Sequence, residues 1–591
     1  MTVQPVPDFP RGRTILPVRR IGHLRLPQAT WMPSRHHILR CRTNMTCVSS
    51  PLQKPKSRPH EPQMALIIES DSAQLGFCPR STREAQSHES WPQWQAAIDK
   101  EIAGLESRNT WIPVHESEVP VSARIMDSKF VFADKLTGRK ARLVVRGDQQ
   151  WPRPSPSSTY SPTPSATEIR ILLSTATANN WAIHSMDISQ AFVQADPLPS
   201  SSNLYIRPPK HYNCAPGTVW KLHKPLYGLM EAPQAWSKTL VKFLTDYGFS
   251  PVNNSSTFFT WSDGTSSMHL VYHVDDILLS FSHDAAAEKF KQALLSRFAG
   301  TDDGPVTRYV GLDISRDGNH LHISQEPLAL ELLERFDMLD CNPVTSPMAP
   351  GELLLESDRP LTPDIPLRRQ YQECVGTLQY LATWTRPDLQ FCTNELSKHM
   401  SNPGLPHWHA AKRVLRYLKG TSSLGLTYSR SSTNPNRLIA YADADWATCP
   451  ETRRSISAFV VLLNGACVAW RSKKQAAVAT STSEAEFVSA SKAADEIVWE
   501  RRIMAALHLP QSSPTPLYED NRACRIMSEN PVNRERSKHI DFRVHSLRER
   551  VAAGDVVLVD CASKDMVADS LTKNLPAEAY IRHRDTQLGR M

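Results

Sequence analysis

The chain has little of what would place it in a membrane or in an oxidising compartment. Its 591 residues contain no apolar run of about 18 residues or more, so no membrane-spanning segment is expected. Its 11 cysteines include no close C-x-x-C pair, which argues against a zinc knuckle or ribbon. Their scatter suits reduced thiols in a cytoplasmic or nuclear protein.

Acidic residues are nearly absent from the first 60 residues. That segment holds nine Arg and two Lys against Asp8, a net charge of +10, whereas the whole chain carries +8. The rest of the chain is therefore close to neutral, at −2. A basic isoelectric point of about 8.9 says little about the folded part, and nucleic-acid binding has to be argued from local patches.

Residues 1–80 are rich in Pro, Arg and Ser and lack hydrophobic periodicity. This composition predicts a disordered basic leader. An Arg-rich, acid-poor segment is also typical of a mitochondrial transit peptide, but the scattered prolines leave no clear amphipathic helix and disfavour that interpretation. An incidental or truncated upstream sequence and a nucleic-acid-binding arm are the other interpretations.

Two adjacent acids interrupt an otherwise apolar run. Asp275 and Asp276 lie within residues 270–279, and Asp187 ends the apolar residues 182–186. The run predicts a β-hairpin with the acids at its tip. Carboxylates in apolar surroundings are costly to desolvate unless a cation meets them, and two carboxylate-bound metals can carry out nucleotidyl transfer. A solvated turn is the alternative for Asp275 and Asp276, because aspartate is common in turns.

A second series of acids follows apolar segments in the last third of the chain. Asp443 ends the apolar residues 438–442, and Asp520 follows the short strand pattern at residues 517–519. Glu486 lies in a helix start that Ser481 or Thr482 can cap. Asp569 comes after the apolar residues 556–559. Each acid alone is more typical of a solvated surface, and only the ordered series predicts a site.

Ordered motifs carry a resemblance to the reverse transcriptase of copia-type retrotransposons. Residues 140–144 (KARLV), 186–192 (MDISQAF), 221–236 (KLHKPLYGLMEAPQAW) and 273–276 (HVDD) resemble the family's KARLVA, D-V-x-x-A-F, KLxKxLYGLKQAPRAW and YVDD motifs. Residues 371–420 add VGTLQYL, TRPDL and AAKRVLRYLKGT. The resemblance covers about residues 90–575.

The resemblance implies an α+β chain: a right-hand polymerase with fingers, palm and thumb, followed by a helical connection and a ribonuclease H-like αβ domain. We expect fingers and palm of the reverse transcriptase over residues 88–335 and a mainly helical thumb or connection, after a Pro-rich linker, over 336–435. The ribonuclease H-like domain is expected over 436–576, and a tail over 577–591.

For the first site, the resemblance implies that Asp187 and Asp275, assisted by Asp276, hold two Mg²⁺ ions, which Mn²⁺ could replace. Lys140 and Arg142 are candidates for binding the triphosphate, because a guanidinium group binds phosphate bidentately. A solvated strand face is their alternative.

Tyr227 and Gly228 belong to the same expected site. The resemblance implies that they lie beside the template and the incoming nucleotide. The alternative for this stretch is a turn followed by an amphipathic helix.

For the second site, the resemblance implies two further Mg²⁺ ions held by Asp443, Glu486, Asp520 and Asp569. Glu484 is the rival of Glu486, which is favoured because its E-A-E-F spacing matches the family form. Asp541 is the rival of Asp569, which is favoured because it follows a strand and opens a helix.

Basic residues near the second series are candidates for contacting the backbone of an RNA–DNA hybrid, because phosphate contacts need cations. They are Lys473, Lys474, Lys538 and His539. His539 could also shuttle a proton during product release, since its side chain titrates near neutrality. An ordinary surface histidine in a basic cluster is the alternative.

The expected function is RNA-directed DNA synthesis with ribonuclease H cleavage of the hybrid, copying retrotransposon RNA into DNA. Its partners would be an RNA template, a DNA primer, the RNA–DNA hybrid, dNTPs and other Gag and Pol products of the element, with no membrane. The expected location is the cytoplasm, in a virus-like particle, and/or the nucleus. The sequence contains no protease triplet and no integrase zinc region, so it is expected to be part of a longer polyprotein or an element remnant.

Departures from the family motifs suggest an alternative. His273 replaces a tyrosine, and Met230, Glu231 and Gln234 stand where Lys, Gln and Arg are usual. Each lost phosphate contact could cost on the order of 1–3 kcal/mol. The alternative is a partly decayed copy that binds nucleic acid with the polymerase inactive and only the nuclease, or neither site, active.

Overall fold

The computed structural model describes residues 77–135, 138–199, 202–210, 212–430, 434–529 and 541–590. All but the last four residues of the expected leader, as well as Lys538 and His539, lie outside the described residues. So does the side chain of Asp541. The described part combines sheets with helices throughout, which confirms the predicted α+β class.

The N-terminal part pairs two helices with a small sheet and a hairpin. The helix pattern predicted around Trp94 and Ile98 is confirmed by the helix Trp91–Glu106, whose apolar side faces the strand Gly138–Val145. The remaining elements of this part are the helix Thr82–Gln86, the sheet strands Trp111–His115, Ile125–Met126, Tyr205–Ile206 and Thr218–Leu222, and the hairpin strand Ser128–Lys135.

A six-stranded antiparallel sheet, here called the central sheet, positions the first group of acids. Its strands, in spatial order, are Gly300–Pro305, Ala182–Ile188, Asp276–Phe281, Ser267–His273, Phe258–Ser262 and Ser250–Pro251. Successive side chains of a strand point to opposite faces, and both faces are covered. The helix Ala166–Ala178 packs on one face, and the helices Ala232–Tyr247 and Asp284–Arg297 pack on the other.

A four-stranded sheet and a group of helices follow. The sheet contains Arg308–Tyr309, Leu312–Asp317, His320–Ser324 and, about 100 residues later in the chain, Leu426–Ser429. The helices are Glu326–Arg335, Ile365–Trp384, Gln390–Ser397 and Leu405–Lys419. Within residues 336–364 the structure contains only the 3₁₀ turn Glu356–Asp358.

A five-stranded mixed sheet, here called the C-terminal sheet, positions the second group of acids. Its order is Ala466–Lys474, Ile456–Leu463, Leu438–Asp445, Thr515–Glu519 and Val556–Asp560. The first three strands are antiparallel, and the last three run parallel. The 25-residue helix Thr482–Ala506 packs on the sheet, with the helices Arg522–Glu529 and Asp541–Ala552 beside it.

The predicted tail after residue 576 is wrong for most of its length. The helix Ala577–Leu588 is folded against the rest of the protein, with Tyr580 4% exposed and Leu588 fully buried. The Tyr580 hydroxyl donates to the Asp388 carbonyl at 2.7 Å. The helix Ala577–Leu588 is mostly polar in composition, so its sequence gives little indication that Tyr580 and Leu588 anchor it.

The central and C-terminal sheets share one apolar core. The helix Ala166–Ala178 contacts the strand Ala466–Lys474, and buried residues of both sheets form a single cluster. Buried Arg170 of that helix donates to the carbonyls of Val468 at 2.7 Å and Thr383 at 2.8 Å. The domain boundaries expected from the sequence therefore do not separate independent cores.

The TRPDL and KGT motifs contribute a buried ion pair to the core. Arg386 and Asp388 pair bidentately, at 2.7 and 2.9 Å. The Arg386 guanidinium also donates to the carbonyl and hydroxyl of Thr421, and the Tyr417 hydroxyl donates to Asp388. These motif residues are structural.

Across the described part of the chain, no helix is both long and apolar enough to cross a membrane.

Candidate active sites

The predicted acidic hairpin is present at the end of the central sheet. His273 pairs with Asp276, which leaves Val274 and Asp275 as the tip. Val274 has a φ of 57°, a conformation rare for a β-branched residue that costs on the order of 1–3 kcal/mol. The Trp236 indole N–H donates to the Val274 carbonyl at 2.6 Å, and the Ile188 N–H donates to the Asp275 carbonyl at 3.0 Å.

The strand register brings Asp187 to the same hairpin. Asp187 lies directly opposite Asp276 on the neighbouring antiparallel strand, and such partners have Cα atoms about 4.5–5.5 Å apart. Burial and the Asp275 carboxylate raise the pKa of Asp187, whereas Lys140 and Arg142 lower it. All three acids are half-buried. The structure thus brings together the three acids expected at the first site.

Lys140 and Arg142 project from one face of the strand Gly138–Val145. They alternate with Ala141 and Leu143, which are buried in the core. The guanidinium of Arg142 lies 5.2 Å from the centre of the Tyr227 ring, within the range of a cation–π contact. Since both cations act on the Asp187 carboxylate, this strand face borders the acids.

The Tyr227–Gly228 turn packs tightly against the same strand. The Val145 N–H donates to the Tyr227 carbonyl at 2.8 Å. Gly228 has a φ of 92°, and a Cβ there would lie 2.0 Å from the Val145 carbonyl oxygen. The Tyr227 ring also contacts Phe192, with centroids 4.8 Å apart. A glycine is therefore required here by both its conformation and its surroundings.

The departures from the family motif make contacts within the protein. Glu231 accepts from the Gln150 amide at 2.7 Å. Gln234 donates to the carbonyls of Ser157 at 2.6 Å and Tyr160 at 3.2 Å. These bonds tie residues 150–160, which include the short helix Pro156–Thr159, to the start of the helix Ala232–Tyr247. His273 is half-buried beside the acids, and its burial lowers its pKa despite the opposing Asp275 charge.

Asp443, Glu486 and Asp520 form a compact acidic cluster near the carboxyl ends of two inner strands of the C-terminal sheet. One carboxylate oxygen from each lies within 4.8 Å of those of the other two, and within the described ranges no other group of three His, Cys, Asp or Glu side chains does so. Asp443 and Glu486 are 3% and 4% exposed. Tyr441 pairs with Tyr518 on the parallel neighbouring strand. Asp443 and Asp520, each two residues further along, therefore lie beside each other.

Glu484 and Glu486 have different surroundings. Glu484 accepts hydrogen bonds from the Thr480 N–H at 2.7 Å and the Thr480 hydroxyl at 2.6 Å, and its own N–H donates to Ser481. These are capping contacts at the helix start. Glu486 instead lies in the acidic cluster, and its Oε2 has no hydrogen-bond partner among the described residues. The geometry favours Glu486 over its rival.

Asp569 lies next to Asp443 but outside the compact cluster. It belongs to the 3₁₀ turn Val567–Leu571, and Lys573 pairs with it at 2.9 Å. Burial and the Asp443 carboxylate raise the pKa of Asp569 to about 7. Thr572 donates its hydroxyl proton to Asp443. Because the side chain of Asp541 is not described, the choice between the two remains a prediction.

The acidic cluster has the chemistry of a divalent-cation site. Burial and the neighbouring acids, chiefly Asp443, raise the pKa of Glu486 to about 11. Closely spaced carboxylates resist ionising together unless a cation compensates them. Carboxylate oxygens are the ligands that Mg²⁺ prefers, and the unpartnered Oε2 of Glu486 is available to such an ion. The residues present therefore fit a bound divalent cation.

Among the expected hybrid contacts, only Lys473 and Lys474 are described. They end the strand Ala466–Lys474 at the edge of the C-terminal sheet. Lys473 is exposed, and Lys474 is half-buried with its Nζ 3.6 Å from the Cys449 sulfur. The exposed side chain of Lys473 is compatible with a phosphate contact.

Sequence reasoning missed Glu519, a fully buried acid directly before Asp520. The signal for Glu519 was an acid at the end of an apolar strand pattern. That pattern was used to predict only the neighbouring Asp520. Sequence reasoning also missed Thr572 and Lys573, which contact Asp443 and Asp569. Side chains of their types are common on surfaces.

Comparisons with known proteins identify relatives of most of the chain. Residues 109–350 match the family model described as reverse transcriptase (RNA-dependent DNA polymerase). The retrovirus-related Pol polyprotein from transposon RE2 of Arabidopsis thaliana is 34% identical over 85% of this chain and 34% of its own length. That from transposon TNT 1-94 of Nicotiana tabacum is 31% identical over 85% of this chain and 38% of its own length. The chain thus spans about a third of these curated relatives.

A solved structure, that of the foamy viral protease-reverse transcriptase dRH in complex with double-stranded DNA, aligns with a TM-score of 0.45 and 13% identity. The alignment covers 82% of this chain and 70% of that one. The motifs and the sequence relatives together carry the assignment: the chain belongs to the family of copia-type retrotransposon Pol polyproteins and includes its reverse transcriptase domain.

Proposed function

We propose that the chain is an RNA-directed DNA polymerase. The observation that carries this is the convergence of Asp187, Asp275 and Asp276 beside Lys140 and Arg142. When bound there, a pair of Mg²⁺ or Mn²⁺ ions would activate the primer 3′-hydroxyl and neutralise the triphosphate. Asp187 and Asp275 would hold the ions, with Asp276 assisting.

The remaining residues of this site would orient the substrates. Arg142 is held against the Tyr227 ring, so its planar group would meet the triphosphate in a defined orientation. Lys140 would add a second, more mobile charge. The rigid Tyr227–Gly228 turn would form a surface beside the template and the incoming nucleotide.

Primer extension on poly-rA/oligo-dT with Mg²⁺ or Mn²⁺ tests the polymerase. We expect DNA synthesis that Asp187→Asn and Asp275→Asn each reduce to background. Asp246→Asn is the matched control, because Asp246 is exposed on the helix Ala232–Tyr247, away from the acids. Extension that persists in Asp275→Asn would exclude this site.

We propose that the second site is a ribonuclease H that cleaves the RNA of the hybrid. The compact group of Asp443, Glu486 and Asp520, with Asp569 beside it, supports this proposal. The four acids would hold two Mg²⁺ ions that activate an attacking water. Lys473 and Lys474, and Lys538 and His539 outside the described residues, would contact the hybrid backbone.

Cleavage of an RNA–DNA hybrid labelled on the RNA strand tests the nuclease. We expect Mg²⁺-dependent cleavage that is lost in Asp443→Asn. Asp495→Asn is the control, because Asp495 is exposed on the same helix as Glu486. Cleavage unchanged in Asp443→Asn would contradict the proposed cluster.

A second candidate function is that of a partly decayed copy that retains nucleic-acid binding and only nuclease activity, or neither activity. His273, Glu231 and Gln234 motivate it, since they replace residues usual in the family. No primer extension by the unaltered chain, with hybrid binding retained, would favour this candidate.

The proposed partners are an RNA template, a DNA primer, dNTPs and other Gag and Pol products, in a cytoplasmic virus-like particle and/or the nucleus.

A further inference from the structure

Glu519 is a buried acid that the four expected nuclease acids do not include. It has no exposed surface and ends the strand Thr515–Glu519, directly before Asp520. Its Oε1 accepts the Asn521 N–H at 3.1 Å, and its Oε2 has no hydrogen-bond partner in the described part of the chain. An unsatisfied buried acceptor costs about 1–3 kcal/mol, so this oxygen requires an explanation.

The register of the C-terminal sheet places Glu519 level with Ala442, directly before Asp443. Leu517 pairs with Ala440, and Tyr518 pairs with Tyr441. Since strand side chains alternate between faces, Glu519 shares the face of Leu517, against which the helix carrying Glu486 packs. Glu519 therefore approaches the cluster from the side of that helix.

Glu519 lies next to the acids of the cluster along both strands. It directly precedes Asp520, and its strand runs parallel to the one that carries Asp443. Its buried, unpartnered Oε2 therefore lies close to carboxylates whose mutual repulsion a divalent cation would relieve.

Hydrogen bonds also connect Glu519 to the position of Asp520. Glu519 accepts a hydrogen bond from the Asn521 N–H. The Asn521 side chain in turn accepts the Cys524 N–H at 3.0 Å and caps the helix Arg522–Glu529. Arg525 of that helix donates to the Glu519 carbonyl at 2.7 Å. The turn that presents Asp520 is therefore held from both sides through Glu519.

We propose that Glu519 is a positioning residue of the cation site formed by Asp443, Glu486 and Asp520. One carboxyl oxygen of Glu519 holds the turn that carries Asp520, and the charge of its carboxylate adds to those of Asp443, Glu486 and Asp520 around the cation. Divalent-cation affinity therefore depends on Glu519. This inference rests on the proposed nuclease function.

The test is a calorimetric Mn²⁺ titration of the full chain carrying Asp187→Asn and Asp275→Asn, which removes the other acidic site. Adding Glu519→Gln keeps the size of the side chain and removes its charge. We expect Mn²⁺ affinity to fall about 10- to 100-fold, as for other residues that support metal ligands. Asp443→Asn in the same background serves as the reference for loss of the site.

Glu500→Gln is the matched control. Glu500 is also fully buried, both of its carboxyl oxygens are without hydrogen-bond partners among the described residues, and it lies on the same helix as Glu486. Its charged neighbours, however, are Glu496 and Arg170. We expect its substitution to leave Mn²⁺ affinity unchanged.

Equal Mn²⁺ affinity in Glu519→Gln and the background chain would overturn the role of Glu519, provided that Asp443→Asn abolishes binding. If the background chain shows no binding that depends on Asp443, the proposed nuclease site itself fails, and the role of Glu519 fails with it. Should Glu519→Gln not fold, Glu519→Asp retains the charge but shortens the side chain. A several-fold weaker affinity is then expected, and an unchanged affinity would again overturn the proposal.

Discussion

Arg170 donates its Nε–H to the carbonyl of Val468 at 2.7 Å, which joins a helix of the central sheet to a strand of the C-terminal sheet. Its guanidinium lies 3.9 Å from the centre of the Trp470 ring and also donates to Thr383 and Trp384. One buried side chain thus links the helix Ala166–Ala178, the helix Ile365–Trp384 and the C-terminal sheet. The two proposed sites are built on one continuous core.

Arg170→Ala is expected to destabilise the whole described fold. It leaves three carbonyls without this donor and removes the cation near Glu500. Breaking such a buried charged network costs about 3–5 kcal/mol. Thermal unfolding should show a lower melting temperature, with polymerase and nuclease activities lost together.

Arg153→Ala is the control for this prediction. Arg153 is exposed, and substitutions at such surface positions change stability by about 0.5 kcal/mol or less. A melting temperature of Arg170→Ala equal to that of Arg153→Ala would show that the shared core does not depend on this side chain.

Gly228→Ala is expected to abolish primer extension while hybrid cleavage survives. The new methyl group would lie 2.0 Å from the Val145 carbonyl oxygen, at a φ of 92°, so the Tyr227–Gly228 turn must move away from the strand that carries Arg142. Gly264→Ala is a matched control, since Gly264 has a φ of 89° and nothing within 4 Å of a Cβ. The Gly264→Ala variant should lose only the stability that backbone strain costs, about 1–3 kcal/mol.

Comparing the two glycine variants separates strain from collision. Both replace a glycine of positive φ, so a general loss of stability should appear in both melting curves. Comparable primer extension in Gly228→Ala and Gly264→Ala would mean that the turn next to Val145 does not shape the polymerase site.

Arg142→Ala is expected to raise the KM for dNTPs. Removing a charge-assisted phosphate contact costs about 1.5–3 kcal/mol, which corresponds to roughly 10- to 150-fold in affinity. Arg142→Lys should recover only part of this loss, since an ammonium group binds phosphate as a point charge. Steady-state kinetics on a fixed primer–template measures the effect.

Arg124→Ala is the control for the dNTP prediction, because Arg124 is exposed outside the strand Gly138–Val145. An unchanged KM in Arg142→Ala would support the solvated-strand interpretation of Lys140 and Arg142.

Mg²⁺ binding at the second site is expected to strengthen as pH rises. Burial and Asp443 raise the pKa of Asp569 to about 7 and that of Glu486 to about 11. The folded chain then holds protons that the unfolded chain releases above about pH 4. The cation-free fold therefore loses stability as pH rises from about 4, up to about pH 7 for Asp569 and up to about pH 11 for Glu486. A bound cation displaces these protons.

The increase in melting temperature caused by Mg²⁺ should therefore be larger near about pH 8 than near about pH 6. The measurement is best made in the Asp187→Asn, Asp275→Asn background, which isolates the second site. Asp443→Asn should remove both the increase and its pH dependence. An increase independent of pH would contradict the buried, protonated state of these acids.

The local sequence was sufficient to predict some of this architecture. The apolar residues on both sides of Asp275 and Asp276 predicted their hairpin, and the helical spacing of Trp94 and Ile98 predicted the first long helix. Motif order supplied Asp187 and the second series of acids. These signals succeed because each depends on neighbours within a few residues, whose periodicity directly reflects strand or helix geometry.

The resemblance favoured Glu486 over Glu484, but only tertiary structure explains the difference between them. Glu484 accepts from the nearby Thr480 as a helix cap, whereas two distant strands bring Asp443 and Asp520 to Glu486. The same holds for Glu519, whose burial comes from a parallel strand about 75 residues away, and for the helix Ala577–Leu588, whose polar sequence resembles a tail.

Local sequence therefore specified the acidic side chains and the elements that carry them. Long-range packing decided which acids are desolvated together, which groups Arg170 and Arg386 bind, and how both sheets share one core. This is because burial and hydrogen-bond partners depend on strand pairing between distant segments, whereas propensity and periodicity report only local geometry.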